Sequence, residues 1–402
     1  MRRYFILFEA YVFLALWMSS LQAEDGLNID VSLSDEKLYA FIFDDVPVSE
    51  PLLKTLAAFR EQESAEVSES LDGLTRQLEE LCLNNPENTE LFSYLGWIAF
   101  MRRDYQKAYL LLEKACLSLN SQRCNDWRRL AVLEGIQNPK SPKQWQFFEK
   151  ALELKPDDYD TFFLRGIARL GIGEYQKALD DFNRGIEIKD NFEIRGLRGF
   201  AYFGLGHIPQ AIADFERYLS AIPNPEQPLL FKCLAIGYWQ NQQYPLAFEL
   251  LEKAEILFPD NPDFSLMRFV IYLPCGNTHE CQKAIEKCLK TMPDTPKVQL
   301  FEALWQTYND NGAQGMKKLP QLEAMADKGL ISPSIVDLLW TELAIQNYEQ
   351  TQLFFKSAEF SPEDSARFLK KFSGIKNKLS EFPNKTTVFQ IMDIQEVLRM
   401  FL

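Results

Sequence analysis

The chain repeats itself. "GEYQKALDDF", Gly173 to Phe182, returns thirty-three residues later as "GHIPQAIADF", Gly206 to Phe215, with Gly, Ala, Asp and Phe at the same offsets. Self-similarity at a period of 20 to 50 residues is the mark of stacked units, each too small to bury its apolar face alone. This feature constrains the fold more than any composition does. The repeated unit must be a short supersecondary element, and its neighbours must supply the rest of its core.

The grammar of each unit is helical. A polar start leads into a stretch with apolar residues at i, i+3, i+4 and i+7, then a turn with Gly, Asn or Asp, then a second such stretch. "YDTFFLRGIARLGIG" and "EYQKALDDFNRGIEI" make one copy. "FEIRGLRGFAYFGLG" with "HIPQAIADFERYLSAIP", and "PLLFKCLAIGYWQNQ" with "QYPLAFELLEKAEILFP", make the next two. "PDFSLMRFVIYLPCG" with "NTHECQKAIEKCLKTMP" keeps the phase, and "ELFSYLGWIAFMRR" with "DYQKAYLLLEKACLSLN" is an upstream copy. Small residues at Gly96, Ala108, Gly166, Ala178, Gly199, Ala211 and Ala247 let two helices approach. Leu112, Phe148, Phe182, Phe215 and Leu251 fill the space between pairs. Pro142, Pro209 and Pro245 fall early in second helices, where a missing N–H costs nothing.

These residues resemble the tetratricopeptide repeat, whose pattern is W-x2-L-G-x2-Y, then A-x3-F, then P, over about 34 residues. "FSYLGWIA", "FLRGIA", "RGLRGFAY" and "FKCLAIGY" approximate its first part, and "AYLLLEKA", "ALDDFNRG", "AIADFERY" and "AFELLEKA" its second. Pro156, Pro223, Pro259 and Pro293 stand where that family ends its second helix. The resemblance runs from about Leu71 to Asp294, with Phe or Arg mostly replacing the family's Trp. It implies an all-α fold, a right-handed superhelical solenoid of antiparallel helix pairs. The expected organisation is a repeat array over 55–294, then degenerate helical repeats and a cap over 295–402.

Two segments precede the array. Residues 1–23 have the layout of a secretory signal: Arg2 and Arg3, an apolar run from Tyr4 to Met18 broken by Glu9, and cleavage after Ala23. Left uncleaved, the same segment would be a membrane anchor; either way the body is expected outside, exported to a periplasm or beyond. Residues 24–54 read as an acidic arm, with eight carboxylates against Lys37 between Glu24 and Glu50.

Chemistry is scarce. The net charge of −14 argues against a nucleic-acid partner, because phosphates demand a basic face. His207 and His279 sit in repeat turns without metal-ligand spacing, so no metal and no cofactor are expected. "GIG" and "GLG", beginning at Gly171 and Gly204, read as helix C-cap glycines rather than phosphate loops. Asp180 and Asp181 read as a solvated face, and no catalytic residue is expected. Seven cysteines leave at least one unpaired; Cys275 and Cys281 bracket a turn and could pair after export, although Cys281 and Cys288 also occupy core places.

The functional expectation comes from the resemblance. In that family the concave face, lined by first helices, binds partner peptides or helices. Its stripe, carried onto this chain, comprises Trp97, Phe100, Arg129, Leu133, Phe163, Ile167, Phe200, Phe203, Lys232, Ile236 and Trp239. Such a surface would take an apolar segment of another protein. Phe163, Ile167 and Leu197 stand where one family subtype places polar residues to grip a C-terminal carboxylate, so that mode is not expected. The implied role is a non-catalytic scaffold or adaptor. The alternatives are an accessory subunit of an enzyme or envelope-assembly complex, or a sensor tethered to a membrane through residues 1–23.

Overall fold

The computed structural model describes residues 75–331, apart from 77, 103, 223–226, 273–276 and 309–311, together with positions 336, 366, 369 and 370. The expected signal and acidic arm lie outside the described residues, as does Cys275, and with it the expected pairing to Cys281. The described chain is helical, with no strand among the described residues.

Seven pairs follow one another. They are α1 (Thr89–Met101) with α2 (Tyr105–Glu113), α3 (Cys124–Gln137) with α4 (Pro142–Leu154), α5 (Tyr159–Gly171) with α6 (Tyr175–Ile188), and α7 (Phe192–Gly204) with α8 (Ile208–Ala221). Then come α9 (Pro228–Gln240) with α10 (Tyr244–Leu257), α11 (Asp263–Tyr272) with α12 (Thr278–Thr291), and α13 (Pro296–Tyr308) with α14 (Gly312–Asp327). The last pair lies in the region expected to hold degenerate repeats and a cap, and the rest of that region beyond residue 331 falls almost wholly outside the described residues. The chain forms two compact units, one ending at Pro223 and one beginning at Asn224. The first four pairs belong to the first unit and the remaining three to the second.

Local chemistry explains the breaks. The side chains of Asn88, Asp104, Ser141, Asp158, Asn191 and Asn277 each accept a first-turn N–H, satisfying donors that a helix start leaves open. Pro142, Pro209 and Pro245 occupy the first turns of α4, α8 and α10, as their phase implied. Gly173 and Gly206 end the turns after α5 and α7 at φ of 76° and 75°, a backbone conformation that L side chains rarely adopt. They are C-cap glycines, as read from the sequence. After α2 the helix widens into a π-turn over Lys114–Ser118, and Asn120 takes φ 50° before the chain enters α3.

Packing follows the small–large alternation. Ala108, Ala178, Ala211 and Ala247 are buried, and Leu112, Phe148, Phe182, Phe215 and Leu251 fill the spaces beside them. Gly166 shows why the position stays small: a Cβ there would lie 2.6 Å from the Phe182 ring. In the first unit one continuous core runs from Trp97 through Leu112, Phe148, Phe163 and Phe182 to Ala201.

Candidate functional site

Within each unit, polar groups near the N-terminal ends of the first helices tie neighbouring first helices together. Asp126, at the start of α3 and fully buried, accepts hydrogen bonds from Ser93 of α1 at 2.6 Å and from Ser121 at 2.7 Å. Asp158, the N-cap of α5, accepts from Thr161 N and Oγ1 at 3.0 and 2.7 Å. It also takes Arg128 of α3 at 2.8 Å and Lys155 at 2.6 Å. Burial alone would push the Asp158 carboxyl up; Arg128, Lys155 and Thr161 overcome it and hold it well below the usual carboxylate range. In the second unit Asp263 of α11 accepts from Lys232 of α9 at 2.5 Å and from Lys297 of α13 at 2.7 Å. Burial opposes ionisation there too, and the two ammonium groups hold the carboxyl below its ordinary value.

The aromatic stripe divides in two. Trp97 and Phe100 stack with ring centroids 5.3 Å apart, and the Arg129 guanidinium lies 4.2 Å above the Trp97 ring. Both rings are buried, and only Arg129 of this group keeps partial exposure. Phe163 and Ile167 of α5 have no exposed surface at all. Phe163 stacks on Tyr159, centroids 5.7 Å apart, and Tyr159 is held in turn by Asn191 at 2.8 Å. Leu133 and Ile236 are core as well. The expectation that Trp97, Phe100, Leu133, Phe163, Ile167 and Ile236 line an open groove is therefore corrected. First helices lie close enough to enclose these side chains between neighbours.

What stays accessible is a smaller set. In the first unit, Phe200 and Phe203 of α7 and Arg129 of α3 are half-buried. In the second, Trp239 and Lys232 of α9 are half-buried, although Lys232 is committed to Asp263. Phe200 packs edge-on against Phe215 at 4.9 Å, which fixes the ring while leaving part of it to solvent.

The charged pair Asp180–Asp181 also divides. Asp180 is exposed, as expected, but Asp181 is buried and accepts from Arg165 at 2.7 Å and Arg169 at 2.9 Å. One repeat on, Arg198 donates to Asp214 at 2.7 and 2.9 Å. The solvated reading of Asp181 is thus overturned: its side chain faces its pair's first helix, not water. Sequence reasoning overlooked both pairs, yet they carry a signal. Arg precedes Gly and Asp precedes Phe in two consecutive copies, at places that α1/α2, α3/α4 and α9/α10 keep apolar.

His207 and His279 are exposed, and among the described residues no three metal-binding side chains gather. No described helix is long and apolar enough to cross a membrane. Burial pushes the Cys233 thiol up to about 12. Cys124 is raised to about 11 by burial and the Asp158 charge, and Cys288 to about 11 mainly by burial.

No protein-family model matches the chain, and no curated protein matches it. Solved structures do. A tetratricopeptide repeat protein from Parabacteroides merdae is similar over 63% of this chain and 98% of its own, at 16% identity and a TM-score of 0.47. YrrB, described as a tetratricopeptide-repeat protein with an unusual peptide-binding site, is similar over 46% of this chain and 93% of its own, at 17% identity and a TM-score of 0.40. MamA from Desulfovibrio magneticus RS-1 is similar over 42% of this chain and 94% of its own, at 16% identity and a TM-score of 0.39. The repeat architecture of this chain rests on its own helix pairs and their small–large packing.

Proposed function

We propose that this chain is a non-catalytic protein-interaction scaffold that holds a partner segment against its first helices. One observation carries the reading. Phe200 and Phe203 stay half-exposed on α7, while Trp97 and Phe100 of α1, Trp127 of α3 and Phe163 of α5 are enclosed. A ring fixed by its neighbours loses little freedom on binding, so it suits an anchor for an apolar partner side chain. Trp239 gives the second unit an aromatic contact of the same kind on α9. The partner in this reading is a peptide or helix of another protein, presenting apolar residues to Phe200 and Phe203.

The proposal includes export. Arg2, Arg3, the apolar run to Met18 and the small residue Ala23 support it. N-terminal sequencing of the mature protein should begin at Glu24; an intact Met1 in the mature chain rejects cleavage and favours a tether. The scaffold reading is tested by crosslinking and pull-down with the unaltered chain and with Phe200→Ala/Phe203→Ala. The double variant should lose the crosslinked partner while its helical circular dichroism and melting temperature stay close to the unaltered values. Equal recovery of the partner by a folded double variant would reject this surface.

A further inference from the structure

Sixteen residues separate a first-helix position from a second-helix position that faces it within the same pair. In α5/α6 these are Arg165 and Asp181, 2.7 Å apart, and in α7/α8 they are Arg198 and Asp214, 2.7 Å apart. In α13/α14 the polarity is reversed, for Glu302 accepts from Lys318. The same places hold Leu95 and Leu111 in α1/α2, Ala131 and Phe147 in α3/α4, and Leu234 and Leu250 in α9/α10. In α11/α12 they hold Arg268 and Ala284, and Arg268 reaches instead to Glu280 of α12 at 3.5 Å and Glu255 of α10 at 3.3 Å.

The pairs with apolar residues show that the packing does not require charge at this level. Burying an ion pair is often no more stabilising than burying two hydrocarbons of like size. Stability alone therefore does not explain the charged versions. The hazard of a repeat chain does. Every second helix presents a similar small–large face, so a first helix can dock on the wrong one, within one chain or between two copies. Such misassembly is a characteristic failure of repeat proteins.

We propose that these sixteen-spaced positions form a partial pairing code that sets the acid-bearing α13 and the arginine-bearing α5 and α7 against second helices of opposite charge; Arg268 of α11, held by Glu280 and Glu255 instead, lies outside it. Arg165 also donates to the exposed Glu149 of α4, but set against Leu250 it would lose the buried Asp181 carboxylate and face hydrocarbon. Glu302 set against Asp181 or Asp214 would face like charge. The first error leaves a buried guanidinium without its buried carboxylate and the second sets like charges together at a half-buried level, whereas the correct match is close to neutral. The code does not separate α5/α6 from α7/α8, which share polarity, and sterics do so instead. Tyr218 of α8 lies over Gly196, where a Cβ would come within 2.8 Å of its ring. The equivalent place in α5 holds Phe163, which could not be accommodated under Tyr218.

The test uses the full chain, as purified and after refolding from urea, with the fraction in the elution position of the never-unfolded protein as readout. Glu302→Lys alone, which sets Lys against Lys318 and makes α13 complementary to the acidic second helices, should cut that fraction several-fold. Glu302→Lys/Lys318→Glu repairs the match within the pair but gives it the polarity of α5/α6 and α7/α8, so it should regain the melting temperature of the unaltered chain while the refolded fraction stays low. Glu302→Leu/Lys318→Leu should keep the melting temperature of the unaltered chain yet still refold with a lower fraction in the starting position. Full recovery by the Leu pair would overturn the proposal. So would full recovery of the refolded fraction by the charge-exchanged pair, or a Glu302→Lys chain that refolds as cleanly as the unaltered one.

Discussion

α5 and α7 are consecutive first helices written in nearly the same pattern, and they put their apolar residues to different uses. On α5, Phe163 and Ile167 are wholly enclosed. On α7 the equivalent places hold Gly196 and Phe200; Tyr218 of α8 covers the glycine, and Phe200 keeps part of its ring in solvent. One residue difference, Phe against Gly, decides whether the first helix fills its own surroundings or lets a second-helix tyrosine fill them. The level at which each helix meets its partner is alike: Arg165 with Asp181, and Arg198 with Asp214. The two helices thus share a buried anchor and differ in their outer face, and the outer face is where a partner would bind.

Among the polar contacts, breaking the shared anchor should have the largest effect. Arg165→Ala leaves Asp181 buried with Arg169 as its remaining cation, and Arg198→Ala leaves Asp214 with Arg195 at 3.5 Å. Each change should cost about 1–3 kcal/mol in urea unfolding, the range for depriving a buried group of a hydrogen-bond partner while a second cation remains. A loss below about 1 kcal/mol at both sites would show that the two helices are not anchored this way.

Asp158 sharpens the comparison, since it ties α5 to α3 through Arg128. Its folded carboxyl is held below the unfolded value of about 3.9. A depressed carboxylate contributes stability that is fully present above the unfolded value and is lost as pH falls below it. The unaltered chain should therefore be more stable than Asp158→Asn at neutral pH, and the gap should shrink as pH drops below about 4. A gap that is constant between pH 7 and pH 3 would contradict the assignment.

Gln144 offers the smallest effect. It is buried on α4, where other copies have Ala108, Ala178, Ala211 and Ala247, and neither atom of its amide has a hydrogen-bond partner. An unsatisfied buried amide costs about 1–3 kcal/mol, while shortening the side chain opens a cavity. The two oppose, so Gln144→Ala should stabilise slightly or leave the unfolding midpoint within about 1 kcal/mol. A loss greater than about 2 kcal/mol would mean that the amide is satisfied.

Much of the fold was legible because it is periodic. Gly173 and Gly206 as C-caps, Pro142, Pro209 and Pro245 as first-turn residues, and the alanine–phenylalanine alternation all repeat in phase, and phase survives in one dimension. The outer face was not legible for a physical reason. Whether Phe163 or Phe200 meets solvent depends on residues from other helices, such as Tyr159 with Asn191 beside Phe163, and Phe215 beside Phe200. The buried ion pairs escaped for a different reason. A charge beside another charge, as in Asp180–Asp181, reads as wet, and only the matching arginine sixteen residues earlier shows that one of the two turns inward.

Urea unfolding of Phe163→Ala beside Phe203→Ala tests the division between core and contact face most directly. Phe163→Ala should lose about 3–5 kcal/mol, the usual cost of emptying a buried phenylalanine site, and Phe203→Ala should lose less than half as much. Equal losses, or a larger loss for Phe203→Ala, would contradict the account, because the ring assigned to a partner would then be holding the fold together.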